Sequence, residues 1–170
     1  MNRPQYILLP ANPLFIFVSL LVAFLLNLQI WGRAPGVPDF VALALIFWGI
    51  HQPRRVGIGI AFCMGLLMDV NDATLLGENA LAYTLLSYFA ITIHRRVLWF
   101  PVSKQTVHVL LLLLFSQTVQ FLVQYMVNNR VPGWSFFLES VVGALLWPVV
   151  TWLLLAPQRR AVNRDENRPI

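Results

Sequence analysis

The sequence predicts an all-α fold: a polytopic integral membrane protein whose chain crosses the bilayer as a six-helix transmembrane bundle. Three observations carry that reading. Hydrophobic residues make up 58% of the 170 and charged residues only 11%, with mean hydropathy +0.69, whereas soluble domains run near 25% charged. The charges fall between long apolar runs rather than along them. Once those runs are taken as membrane crossings, the two signs of charge separate to opposite sides. The net charge of +5 is then not a nucleic-acid footprint, because the basic residues punctuate apolar runs and form no continuous face. A chain this short is one domain. It divides into a six-helix region over 1–156 and a basic, polar tail over 157–170, expected to be disordered.

A hydrocarbon core of about 30 Å needs roughly 20 helical residues at about 1.5 Å each. The first helix is expected over 13–32, with no charge between Arg3 and Arg33. It is expected to stay uncleaved, since no small-residue cleavage site follows it. The second and third are expected over 38–52 and 55–70. Their apolar runs, Phe40 to Ile50 and Val56 to Met68, are short. A single re-entrant hairpin would bring Arg54 and Arg55 near mid-membrane, at about 2.5–3.5 kcal/mol each. Two spans joined at Pro53 avoid that cost. The remaining helices are expected over 75–93, 105–127 and 135–156.

Charge placement tests the count, since cytoplasmic loops carry excess Lys and Arg. With both termini in the cytoplasm, ten basic residues fall there: Arg3, Arg54, Arg55, Arg95, Arg96, Lys104, Arg159, Arg160, Arg164 and Arg168. Two, Arg33 and Arg130, fall outside. Asp39, Asp69, Asp72, Glu78 and Glu139 all fall outside, leaving Asp165 and Glu166 in the tail. The hairpin alternative gives a weaker eight against four. The pairs Arg54-Arg55 and Arg95-Arg96 are therefore read as topology-setting. Trp31, Trp48, Trp99 and Trp134 stand near expected helix ends, as an aromatic belt requires. The tail arginines are expected to hold the last helix against anionic lipid.

On helix three, Gly57, Ala61, Gly65 and Asp69 recur every four residues. Small residues at that spacing let helix backbones approach closely in lipid. The bland reading is ordinary packing with a solvated Asp69; the functional one is a partner contact ending in a carboxylate. On helix five, Gln117, Gln120, Gln124 and Asn128 form an amide stripe at spacings of three and four. Lipid cannot satisfy amides, so they bond within the bundle, line a cavity or meet another chain. Helix six carries Ser140, Ala144 and Pro148 on one face, and Pro148 removes a backbone donor.

Catalysis finds little support. His51, His94 and His108 match no ligand spacing, and Cys63 is the single cysteine. No phosphate loop, dinucleotide fingerprint or zinc signature occurs. No catalytic residue, metal or cofactor is expected.

Several motifs together resemble the MreD family of bacterial rod-shape-determining membrane proteins. They are Pro38-Asp39-Phe40, the Pro53-Arg54-Arg55 turn with Gly57 and Gly59, and Phe62, Gly65, Leu66 and Asp69 on helix three. Leu76-Gly77, Ala80-Leu81 and Trp147-Pro148 complete the set. The similarity covers roughly Trp31 to Arg160; Glu78-Asn79 departs from the pattern. The resemblance implies a non-catalytic scaffold in the bacterial inner membrane. Its main partner would be MreC, within an elongation complex that includes MreB, the transpeptidase PBP2 and RodA and supports side-wall peptidoglycan synthesis. It also implies a fold like the substrate-binding subunits of energy-coupling-factor transporters. On this reading the partner-interface candidates are Gly57, Ala61, Gly65, Asp69, Gln117, Gln120, Gln124 and Asn128. Two other functions stay open: a vitamin-binding transporter subunit, and a membrane enzyme acting on lipid-linked sugars through Asp69 or Glu78.

Overall fold

A computed structural model describes residues 7–8, 12–28, 36–128, 133 and 135–160. Arg3, Arg33, Arg130, Arg164, Arg168, Asp165, Glu166, Trp31 and Trp134 lie outside that set. Six α-helices follow in order: α1 Pro13–Leu28, α2 Phe40–His51, α3 Ile58–Asp72, α4 Glu78–Leu98, α5 Val102–Asn128 and α6 Ser135–Leu155. Two stretches, Val102–Val127 and Phe136–Gln158, are long and apolar enough to cross a membrane; α1 and α2 are apolar but shorter.

The centre of the bundle is α2. Every residue from Val41 to Ile50 is buried. Its sequence, FVALALIFWGIH, is apolar on all sides, and such a helix is stable only when enclosed. It packs against α1, α4 and α6, while α4 also packs on α3 and α5. Asp39 starts it, its side chain accepting the Ala42 N–H at 3.0 Å, a standard N-cap geometry.

The helix ends differ from the charge-based expectation. α4 begins at Glu78 rather than 75 and runs on to Leu98, carrying Arg95 and Arg96 in its last turn. Cations are favourable at the negative end of a helix, and their long stems reach the polar zone. α5 begins three residues before the expected 105, at Val102. The turn before α4 contains Ala73 at φ 51° and Gly77 at φ 104°; the left-handed region favours glycine at the latter.

Two further features depart from the sequence reading. Trp48 is no belt residue: it is fully buried, and its Nε1 donates to Ser19 Oγ at 2.8 Å. Trp99, at the end of α4, is 90% exposed. The first residues of the expected tail have regular structure, and 161–170 lie outside the described residues. A 3-10 turn spans Ala156–Gln158, and Arg159–Arg160 pairs antiparallel with Ile7–Leu8. Backbone pairing there brings the segments flanking α1 and α6 side by side.

The outer surface is apolar. Phe17 and Leu21 on α1, Leu111 and Met126 on α5, and Leu145, Trp152 and Leu153 on α6 are all exposed. A soluble monomer rarely shows contiguous apolar surface on this scale; hydrocarbon is its natural solvent.

Candidate functional site

The polar side chains gather at one end of the bundle around a cavity of about 300 Å³. Side-chain bonds join the close of α1 to the start of α2, the close of α3 and of α5 to the start of α4, and α5 to the start of α6, so the helices alternate in direction. α2, α4 and α6 therefore all start at this end, and α1, α3 and α5 all finish there. Each helix start presents unpaired N–H groups and the positive pole of its dipole. That accounts physically for the acids here: Asp39 caps α2, Glu78 opens α4 and Glu139 lies near the start of α6.

Asp69 is tied into the same logic from a neighbouring helix. It sits near the end of α3, 1% exposed. Its Oδ1 accepts the Asn79 N–H at 2.7 Å, and its Oδ2 accepts Gly77 N–H at 2.8 Å and Ala80 N–H at 3.4 Å. The Thr74 hydroxyl donates to Oδ1 at 3.4 Å. Asp69 thus caps α4 from outside it, a positioning role that leaves neither oxygen open for acid–base work. Gly65, one turn earlier, makes the approach possible. A Cβ on it would lie 2.6 Å from Ala80 N and 2.7 Å from Asn79 O.

The small-residue ridge of α3 is therefore a contact within the chain. Ala61, Gly65 and Asp69 are buried on the α4 side, and are not available to a partner. Gly57 precedes α3, with open space around it. The periodicity reported that a backbone comes close; it could not say that the backbone belongs to α4.

The amide stripe of α5 makes the opposite wall. Gln117 Nε2 donates to Phe136 O at 2.8 Å and Glu139 Oε2 at 3.4 Å, and its Oε1 accepts from Ser140 Oγ at 2.5 Å. Gln120 Nε2 donates to Asn79 Oδ1 at 2.7 Å. Gln124 Nε2 donates to Glu78 Oε1 at 2.6 Å. The stripe thus ties α5 to α4 and α6 while lining the cavity. Asn128 is the last residue of α5; its side chain lies outside the described set.

Sequence reasoning missed several members, Asn27 and Tyr83 foremost among them. Asn27 Nδ2 donates to Asp39 Oδ1 at 2.8 Å, and its Oδ1 accepts the Phe40 N–H at 3.0 Å. Tyr83 donates its hydroxyl to Asp39 Oδ2 at 2.5 Å. The signal for Asn27 was present: an amide set deep in the apolar run of helix one. Tyr83 had none, since its ring fits any buried helix face.

The side chains here are tied to one another and to helix starts, an arrangement that holds and positions. The histidines lie elsewhere. Each has its Nδ1 beside a carbonyl of its own helix: Phe47 O for His51, Ile91 O for His94 and Lys104 O for His108. Among the described residues no group of three or more His, Cys, Asp or Glu is placed to hold a metal ion. The arginine pairs singled out in the sequence occupy the far end. Arg54 and Arg55 are exposed in the α2–α3 turn, and Arg95 and Arg96 are exposed at the close of α4.

No solved structure matches the chain. The rod shape-determining protein MreD of Haemophilus influenzae is 30% identical over 148 residues, covering 84% of this chain and 88% of that one. Residues 10–156 match the family described as rod shape-determining protein MreD. An all-helical bundle with an apolar surface suits a membrane protein, and the two matches, each over most of the sequence, show that the chain belongs to the MreD family.

Proposed function

We propose that the protein is a non-catalytic, multi-pass scaffold of the bacterial inner membrane, with both termini in the cytoplasm. It maintains rod shape by holding MreC at the acid-rich outer end of the bundle. That contact joins it to the elongation complex with MreB, PBP2 and RodA, which supports side-wall peptidoglycan synthesis.

The observation that carries this reading is the outer end itself. It combines a polar cavity with exposed apolar side chains at the same end, Leu76 at 79% and Met126 at 81% exposure. Exposed apolar side chains bordered by polar groups are the composition of an interaction site. Because Gly65 and Asp69 face α4, the docking surface is assigned to the cavity mouth beside Gln120 and Gln124. Gln120→Leu and Gln124→Leu should each weaken copurification with MreC while the protein still inserts. Undiminished copurification in both variants would move the MreC contact elsewhere.

The cavity also favours a second reading, a vitamin-type ligand held as in the substrate-binding subunits of energy-coupling-factor transporters. A volume of about 300 Å³ is at the low end for small-molecule sites. Thermal stabilisation of the purified protein by one member of a vitamin panel would support it. A flat response across the panel would leave the scaffold reading alone.

A further inference from the structure

We propose that the groove between α1 and α3 holds an acyl chain of an anionic glycerophospholipid, whose phosphate meets Arg55. The groove is distinct from the polar cavity. It encloses about 930 Å³ between Ile16, Leu20 and Phe24 of α1 and Gly59, Cys63 and Leu67 of α3. Its walls are apolar except at one end, where Arg55 is the one charged lining residue among the described residues.

Length selects the occupant. Pro13 and Phe24 bound the groove on α1. Eleven helical steps at about 1.5 Å give about 17 Å, close to half of the roughly 30 Å hydrocarbon core. That is the depth of one leaflet. The first residues of α1 and α3 lie at the same end, so the deep apolar part of the groove faces away from Arg55. An acyl chain with a headgroup at the arginine has this polarity.

Charge selects the headgroup. Arg55 is exposed in the turn beside Arg54, at the depth where anionic lipid attracts basic residues. Arg55 also interacts within the chain. A guanidinium carries five donors, so it can keep that contact and still meet a phosphate, for which its planar fork is well suited. Gly59 matters because a Cβ there would meet nothing within 4 Å: the space beside it is open.

The test uses the full-length protein in a neutral detergent. Native mass spectrometry would count retained phosphatidylglycerol against phosphatidylcholine with the same acyl chains. The wild type should prefer phosphatidylglycerol by about fivefold, the effect of one arginine at an anionic surface. Arg55→Gln should lose that preference. Gly59→Leu fills the groove and should lower retention of both lipids. Its thermal midpoint should hold, because the added side chain enters open space. Equal retention of the two lipids by the wild type would overturn the headgroup assignment. Unchanged retention in Gly59→Leu would overturn the groove. A third measurement needs no substitution: Cys63 faces the groove and is exposed. Labelled with a benzophenone maleimide and irradiated in native membranes, it should gain the mass of a phospholipid; an adduct to another polypeptide would overturn the proposal.

Discussion

Asp69, at the end of α3, accepts the backbone N–H of Asn79 at 2.7 Å and so closes the start of α4 from a different helix. The same carboxylate also takes Gly77 and Ala80 N–H. Asp69→Ala would leave three donors at a buried helix start without an acceptor. Loss of an N-cap and of buried hydrogen bonds together costs about 2 kcal/mol or more. Asp69→Asn keeps one acceptor oxygen but turns an amide toward another donor, so its loss should be smaller and still measurable. The check is the thermal midpoint of each variant in detergent. A midpoint unchanged in Asp69→Ala would remove Asp69 as the α4 cap.

Two glycines of α3 should respond in opposite ways. At Gly65 an added methyl runs into the Ala80 backbone, which has no rotamer to yield. α3 and α4 would have to separate, and overpacking of this kind costs about 1–3 kcal/mol. At Gly59 nothing lies within 4 Å, and alanine removes the helix penalty of glycine, about 0.5–1 kcal/mol. Gly65→Ala should therefore lower the midpoint and Gly59→Ala should hold or raise it. Equal responses would mean that the α3–α4 contact is looser than 2.6 Å implies.

That pair also shows where the sequence was legible and where it was not. Spacing of four along Gly57, Ala61, Gly65 and Asp69 marks a close approach, because only small residues allow one in lipid. It carries no information on which helix approaches. The amide stripe of α5 was legible for the same reason: amides need partners, and Gln117, Gln120 and Gln124 all have them. The partners themselves, Ser140, Asn79 and Glu78, come from two other helices, and only tertiary structure brings them in. Trp48 misled because proximity to a helix end is a distance along the chain, whereas burial depends on how many helices surround it. α2 is enclosed from every side, so its end is also core.

Tyr83 joins α4 to the start of α2 through Asp39. Tyr83→Phe keeps the ring in a site only 1% exposed and deletes the hydroxyl. A hydrogen bond to a charged group contributes about 1.5–3 kcal/mol. Asp39 retains Asn27 Nδ2 and Ala42 N–H, so the carboxylate is not orphaned and the loss should fall at the lower end, about 1.5 kcal/mol. Asn27→Leu breaks the bonds to Asp39 and from Phe40 N–H together with a weak one to Met68 Sδ, and should lower the midpoint further than Tyr83→Phe. The reverse order would mean that the hydroxyl, and not the amide, anchors Asp39.

The proposed orientation of the bundle rests on arginine placement and can be tested without disturbing it. Arg54 and Arg55 occupy the turn between α2 and α3, while Leu76 stands 79% exposed in the turn between α3 and α4. α3 separates the two turns. Excess basic residues keep a loop in the cytoplasm. In a Cys63→Ser background, Pro53→Cys leaves every charge in place and should react with a membrane-impermeant maleimide only after the cells are opened. Leu76→Cys should react in intact cells whose outer barrier admits the reagent. If Pro53→Cys were labelled in intact cells, the acid-rich cavity would face the cytosol, and a periplasmic partner could not reach it.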